Sequence, residues 1–377
     1  MNEKKKKQEC TRRRFLITAS ASAAAVTVGV PFFAKNASAA PTTIKIQSMW
    51  DAGTLGYTLF MEFAENVNKA SEGKLIVKPF PASAMVGTME MFDAVKAGVF
   101  EAMHTSDTYQ PGKIPCATFL ASYPFGMDRP DQWETWFTSL GGKEIAREAY
   151  AEHNIYWIGP IQHDDNIIHS KVPIRSFEDY QGKKIRFPGG MIADIFRAAG
   201  VATVLLPGGE VYPALEKGVI DGADFVGAAI NYNLGFGEVA KYIIMGPPST
   251  PCLHQPVDCQ SIGINMKTWK SIPEHLQKLF ELGVKDFSWK QYTAVQKADI
   301  QAYKDFQKKQ GVEIIRLKDS DIEKFKKFAP ELWVKWAKKH PLAMKAFKSQ
   351  WEFMKSIKVG YYTDADLVDS KGKRISL

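Results

Sequence analysis

Two stretches of the chain, 120 residues apart, follow one pattern. Phe92-Asp93-Ala94-Val95-Lys96-Ala97-Gly98-Val99-Phe100-Glu101 is echoed by Tyr212-Pro213-Ala214-Leu215-Glu216-Lys217-Gly218-Val219-Ile220-Asp221, with Ala, Gly and Val coinciding at a constant offset of 120. In each copy a short helix ends on a glycine, Gly98 or Gly218, free to take the left-handed conformation that closes helices. A short strand then runs inward and ends near Ala102-Met103-His104 or Ala223-Asp224-Phe225. A strand and loop precede each copy, Leu75–Lys78 for the first and Thr203–Leu206 for the second. The chain therefore holds two related α/β halves. Ligands of open α/β sheets sit at the carboxyl ends of strands, and clefts between domains are favoured sites. The repeat thus predicts a ligand cleft, with His104 and Asp224 at its two matching positions.

Local periodicity fills in the rest. Ile44–Met49 alternates as a first strand, and Leu59, Phe60, Phe63 and Val67 put Tyr57–Asn68 in a helix. Lys74–Pro79 reads as a second strand, and a loop over Pro81–Gly87 leads into a helix at Met89–Lys96. The last third differs. Ser271-Ile272-Pro273-Glu274 predicts a helix start with Ser271 as N-cap, proline in the first turn and glutamate placed for a capping box. Leu276, Leu279, Phe280, Val284, Phe287, Val295, Ile300, Tyr303 and Phe306 then keep one apolar face up to Gly311. That is one helix of roughly 35–38 residues, or ~55 Å, long enough to span more than one lobe. A short strand at Glu313–Arg316 and helices near Asp319–Lys339 and Pro341–Lys358 close the chain.

The first forty residues say where the protein works. Thr11-Arg12-Arg13-Arg14-Phe15-Leu16 places paired arginines before the mildly apolar run Ile17–Phe33, and Ala37-Ser38-Ala39 has the small-x-small form of a signal-peptidase site. This is a twin-arginine export signal cut after Ala39, and it directs the protein to the periplasm. Pro31 interrupts the run, which argues against a membrane helix, and Cys10 precedes it, which argues against a lipid anchor. Residues 1–40 hold eight basic side chains against two acidic ones, six of the formal +8, so about +2 remains after processing. With that balance, and with lysines between Lys304 and Lys339 alternating with acids and apolar residues, no nucleic-acid partner is expected. The processed chain of 338 residues, 377 less 39, suffices for two domains. Cys116, Cys252 and Cys259 stay in it. Buried free thiols are the expectation, with a Cys252–Cys259 disulfide as the alternative.

Over nearly the whole processed chain, and most strongly at Gly182-Lys183-Lys184-Ile185-Arg186-Phe187-Pro188-Gly189, the sequence resembles a solute-binding protein of a tripartite ATP-independent periplasmic (TRAP) transporter. The string from Leu206-Pro207-Gly208-Gly209-Glu210 to Gly222-Ala223-Asp224 is similar to a branch that binds 2-oxo and 2-hydroxy monocarboxylates through a bound metal ion. Asn233-Leu234-Gly235-Phe236 and His254-Gln255-Pro256 share that similarity. The resemblance implies an α/β, two-lobed periplasmic-binding-protein-like fold with a long helix spanning both lobes. Lobe I would take residues 40–165 and later returning segments at roughly 256–310, lobe II residues 166–255, and C-terminal helices 311–377. Implied partners are a small organic acid of the lactate or pyruvate kind and the membrane subunits of the transporter, with a homodimer as one open form of assembly.

Residues carry this further. Arg186 lies where a strand ends and a Pro-Gly-Gly loop begins, and a guanidinium there grips a carboxylate with two parallel hydrogen bonds. In the family the matching arginine holds the substrate carboxylate. Gln162-His163-Asp164-Asp165-Asn166 packs two acids and two amides into five residues, which suits a hard cation, although Asp-Asp-Asn is also good turn chemistry. The resemblance implies a metal held by Asp224, the main-chain carbonyl of Phe225, and an amide or acid at about Asp164, with Gln162 and Asn166 as neighbouring candidates. His254 or Gln255 is a further contact. Substrate contacts are expected from Arg186, Asp164, Asn166, Phe225 and His104, and Trp50, Tyr57 and Tyr109 are aromatics for the ligand or the core. Two carboxylates favour Ca²⁺ over Na⁺, and Mg²⁺ is disfavoured by its demand for a small octahedral site. Phe225 and Leu253 stand where relatives carry tryptophan. HExxH, GxSxG and phosphate-loop motifs are absent, so a binder is expected over an exported metal-dependent enzyme. An organic-acid binder without metal is the nearer alternative.

Overall fold

A computed structural model describes residues 40–114, 116–356 and 363–377. The export signal lies outside them. The strands are β1 (Thr42–Ser48), β2 (Leu75–Phe80), β3 (Ala102–Ser106), β4 (Ile155–Gln162), β5 (Ile167–Ser170), β6 (Lys184–Arg186), β7 (Ala202–Val204), β8 (Gly222–Phe225), β9 (Tyr242–Met245), β10 (Cys259–Asn265) and β11 (Glu313–Arg316). They form two sheets, ordered β2-β1-β3-β10-β4 and β11-β9-β5-β8-β6-β7.

The repeat is visible in this topology. β1 pairs in parallel with β2 and β3, and β6 pairs in parallel with β7 and β8. An antiparallel strand then covers the same edge of each trio, β10 against β3 and β5 against β8. Gly98 and Gly218 close the helices before β3 and β8 with φ of 75° and 68°, the left-handed conformation the pattern calls for. The chain leaves the first sheet between β4 and β5, over residues 163–166, and returns between β9 and β10, over residues 246–258. The two crossings are hydrogen-bonded to each other, with Asn166 N donating to the Gln255 carbonyl at 3.1 Å and Asp258 N to the Asp164 carbonyl at 2.9 Å.

The long helix runs Glu274–Gln310, 37 residues. Its first half packs on the Leu55–Ala70 helix, with the Phe63 and Phe287 rings 5.1 Å apart. Near its end Phe306 meets His169 of β5. The buried stripe is not purely apolar, since Ser288, Gln291 and Asp299 lie on it, while Ile300, expected inside, is 62% exposed. The polar residues sit where the helix passes the crossings and meets free backbone groups: Ser288 Oγ accepts from Gln162 N at 2.9 Å and Asp299 Oδ1 from Ala229 N at 2.6 Å. Ser271 is not the N-cap. It ends a separate short helix, Met266–Ser271, and its hydroxyl donates to the Thr268 carbonyl at 2.7 Å. The helix expected near Asp319–Lys339 is two, Asp319–Lys326 and Ala329–Ala337. Pro330 brings no N–H to continue the ladder and crowds the preceding turn. The last helix is Pro341–Ser356. Cys116, Cys252 and Cys259 are free and buried, so Cys252 and Cys259 are not bridged. The Cys252 sulfur accepts instead from Gln255 N at 3.3 Å. No helix among the described residues is long and apolar enough to cross a membrane.

Candidate functional site

β6 is three residues long and ends in Arg186, which the Pro188-Gly189-Gly190 turn carries into the space between the two sheets. The side chain is 2% exposed. Nε donates to the Leu206 carbonyl at 3.0 Å and Nη1 to the Asp224 carbonyl at 2.8 Å. The Phe225 ring lies 5.4 Å from the guanidinium carbon, a cation–π support. Nη2 has no hydrogen-bond partner among the described residues. Three of the guanidinium's anchors are thus protein groups that fix its plane, and one edge is left for a ligand. The side chain lines a small cavity, with room for little more than a water within about 540 Å³ of non-protein space that includes its open mouth, and Met49, Trp50 and Tyr109 on one side face Arg186, Phe225 and Leu234 on the other.

Beside Arg186 stands a group of oxygens. Asp224, at the end of β8, accepts from His254 Nε2 at 2.8 Å through Oδ1, and its Oδ2 is 3.6 Å from Arg186 Nη1 and 3.4 Å from Asn166 Nδ2. Gln255 Nε2 donates to Asp258 Oδ1 at 2.6 Å. In both amides a carboxylate holds the NH₂ end, so the carbonyl end is left over. Asn166 Oδ1 and Gln255 Oε1 are buried with no partner among the described residues, and both side chains line the cavity. A buried acceptor without a donor costs about 1–3 kcal/mol. Two such acceptors next to a carboxylate fit a hard cation, which takes oxygen ligands. Groups of three or more His, Cys, Asp or Glu that could hold a metal are absent among the described residues, so a cation here would rely on amide and main-chain oxygens as well as Asp224.

Electrostatics favour a protonated His254. Burial by itself would lower the His254 imidazole, but Cys252 and the hydrogen bond and charge of Asp224 reverse this and hold it up at about 10. The imidazolium keeps Asp224 oriented. Burial raises the Tyr109 hydroxyl, with the Arg186 charge opposing it. Burial also raises the Asp51 carboxyl at the mouth of the cavity.

The structure brings together Arg186, Asn166, Phe225 and Gln255, with Asp224 behind them, and sets the other expected residues elsewhere. His104 does not face the cavity. Its Nδ1 pairs with Ser48 Oγ at 3.1 Å and Nε2 with Gln260 Oε1 at 3.0 Å, it stacks on Phe60 at 4.9 Å, and burial pushes it down to about 3. It is a satisfied core histidine. Asp164 lines a neighbouring cavity with His163, Asp165 and Tyr303, is bonded to the His163 ring, and accepts from Gly227 N at 3.2 Å. Gln162 ends β4 fully buried and is not among the residues lining the Arg186 cavity. Asp164 is thus committed to other partners, whereas both amide atoms of Gln162 are buried with no hydrogen-bond partner among the described residues. Tyr57 packs on Phe60. Sequence reasoning missed Asp258, whose carboxylate orients both Gln255 and Gln260 (Gln260 Nε2 to Oδ2, 3.0 Å). Its only signal is an acid placed directly before a strand.

The model of "Bacterial extracellular solute-binding protein, family 7" matches residues 46–339. That of the "Ubiquitinol-cytochrome C reductase Fe-S subunit TAT signal" matches residues 2–33. A monocarboxylate 2-oxoacid-binding periplasmic protein of Nostoc sp. is 29% identical over 231 residues, and the alignment spans 58% of this chain and 58% of that relative. A TRAP periplasmic solute-binding protein of Pseudoalteromonas atlantica, solved with bound sodium and pyruvate, superposes with a TM-score of 0.76 at 23% identity over 85% of this chain and 95% of its own. One from Colwellia psychrerythraea, with bound calcium and pyruvate, gives 0.75 at 24% over 85% and 96%. These two likenesses show the two-lobed fold.

Proposed function

The chain belongs to family 7 of the bacterial extracellular solute-binding proteins, the periplasmic binders of TRAP transporters, and we propose that it captures a small 2-oxo or 2-hydroxy monocarboxylate together with a cation. The observation that carries this reading is the open edge of Arg186, Nη2, beside the two orphaned carbonyl oxygens of Asn166 and Gln255. A carboxylate satisfies the guanidinium edge. It brings more negative charge to a site that already holds Asp224 and Asp258, and a cation offsets that charge. Asp224, Asn166, Gln255 and the Phe225 carbonyl would hold the cation. Once bound, it would supply a positive centre to offset the charge of the carboxylate and attract the C2 oxygen. The Nostoc relative's 2-oxoacid binding and the pyruvate found with sodium or calcium in two relatives support the same class. Ca²⁺ is the cation we put first, with Na⁺ as the alternative, since both ions take oxygen ligands and each is found with pyruvate in one of the two solved relatives.

Binding is read as a closure of the two lobes about the crossings, with delivery to the membrane subunits. The test is calorimetry on protein stripped with chelator, titrated with pyruvate or lactate with and without Ca²⁺ or Na⁺. Affinity should rise with the cation, and Asp224→Asn should abolish that rise. Equal affinity in all arms, unchanged in Asp224→Asn, would leave an arginine-anchored binder of organic acids without metal.

A further inference from the structure

The two walls of the cavity offer different chemistry. The lobe II wall holds the guanidinium and the oxygen group. The lobe I wall mixes the apolar faces of Met49, Trp50 and Tyr109 with the polar groups of Asp51, Ser106 and Thr108. Trp50 lines this cavity, and its Nε1 is buried with no hydrogen-bond partner among the described residues. The indole is held in place. It lies over Gly56, where a Cβ would fall 2.7 Å from three of its ring atoms, and against the His163 ring at 5.2 Å. Nearby, Ser106 Oγ and Thr108 Oγ1 are 2.7 Å apart, so one hydroxyl donates to the other and one hydroxyl hydrogen is left to give. An alkyl tail against this wall would leave the indole N–H unsatisfied, and a second carboxylate would meet Asp51. A neutral hydroxyl suits both, accepting from Trp50 and donating to a carboxylate or hydroxyl oxygen.

We propose that the ligand is a hydroxylated acid: a 2-oxo or 2-hydroxy monocarboxylate with a neutral oxygen function beyond C2, whose oxygen accepts the Trp50 indole N–H. This rests on the reading above, in which lobe II takes the carboxylate and the C2 oxygen. Trp50 is then the residue by which lobe I selects the tail, and the ligand bridges the lobes through polar contacts at both ends.

The test uses matched acids by calorimetry on the full processed protein: pyruvate against 3-hydroxypyruvate, lactate against glycerate, and 2-oxobutyrate as an isosteric tail without the oxygen. The hydroxylated members should bind roughly three- to ten-fold more tightly, the worth of one neutral hydrogen bond, and 2-oxobutyrate should not share the gain. Trp50→Phe keeps a ring over Gly56 and should erase the preference, so that within that variant each hydroxylated acid binds no more tightly than its partner. Equal affinities within the wild-type pairs, or a preference that survives Trp50→Phe, overturn the proposal and leave the monocarboxylate reading standing. Failure of all five acids to bind, with or without Ca²⁺ or Na⁺, overturns that reading and the proposal with it. If Trp50→Phe does not fold, as melting curves will show, the wild-type pairs decide alone.

Discussion

Arg186 is the side chain on which the site stands, and replacing it separates the roles of charge and shape. In Arg186→Ala the ligand carboxylate loses its cationic partner, and the carbonyls of Leu206 and Asp224 lose donors at 3.0 and 2.8 Å. Truncating one member of a buried charge pair costs about 2–5 kcal/mol in binding, which at about 1.4 kcal/mol per tenfold is a loss of roughly thirty-fold to several thousand-fold. Arg186→Lys keeps the charge, but a single ammonium replaces a fork that holds two protein carbonyls and still presents an edge. Its expected loss is one charge-assisted hydrogen bond, about 1.5–3 kcal/mol, or roughly ten- to hundred-fold. The assay is calorimetry with pyruvate at saturating Ca²⁺, with melting curves run alongside to show that each variant is folded. The graded order wild type, Lys, Ala is the expected result. A lysine variant with wild-type affinity would show that the fork is not used, and an alanine variant within about threefold would remove Arg186 from the site.

Three further outcomes are expected. Phe287→Ala, which empties a ring position stacked on Phe63, should destabilise by about 3–5 kcal/mol in urea unfolding; a cost under about 1 kcal/mol would mean the long helix does not pack on the Leu55–Ala70 helix through this ring. Ile300→Glu, on the exposed face, should change stability by no more than about 0.5 kcal/mol, and a larger loss would place Ile300 inside. In chelated, ligand-free protein, His254 is held up at about 10 against an ordinary 6.5, so its contribution is complete below about pH 6.5 and is lost as pH rises through 10. Asp164 and Asp299 are pushed up to about 8 by burial, so their losses are complete by about pH 8. A fall in melting temperature between pH 8 and 10 that is shallower in His254→Gln is the expected signature, and identical slopes would refute it.

The duplicated half was legible because it rests on a backbone rule: only a residue tolerant of positive φ closes those helices, so Gly98 and Gly218 mark both copies. Arg186 was legible for a similar reason, being the one cation at a strand end before a Pro-Gly-Gly turn. The polar segment after β4 was not resolved by sequence, because its residues divide between two cavities within four positions. His163 and Asp164 turn to one and Asn166 to the other, and composition cannot tell them apart. His104 failed for another reason. It occupies the position matching Asp224 in the repeat, but stacking on Phe60 and hydrogen bonds from both ring nitrogens hold it in the core. The buried Ser288, Gln291 and Asp299 broke the apolar periodicity of the long helix, since their partners, the Gln162 and Ala229 backbone N–H groups and the Gln260 side chain, lie far off in sequence where no local pattern announces them.

The order of the strands also dictates the order in which the molecule can be finished. β10 lies between β3 and β4 in the first sheet, yet it is encoded after β5 to β9 of the second. Until residue 265 has left the ribosome, β3 carries an open edge and β4 has no strand beside it. The second sheet in turn waits for β11, beyond the long helix. Neither lobe is a unit that can be completed by itself during synthesis, and unpaired edges of this kind invite pairing with other chains. A leader of the twin-arginine type, matched at residues 2–33, sends a chain across the membrane after it has folded. For a polypeptide whose first sheet is closed from its far end, that route lets the last third arrive before the journey begins.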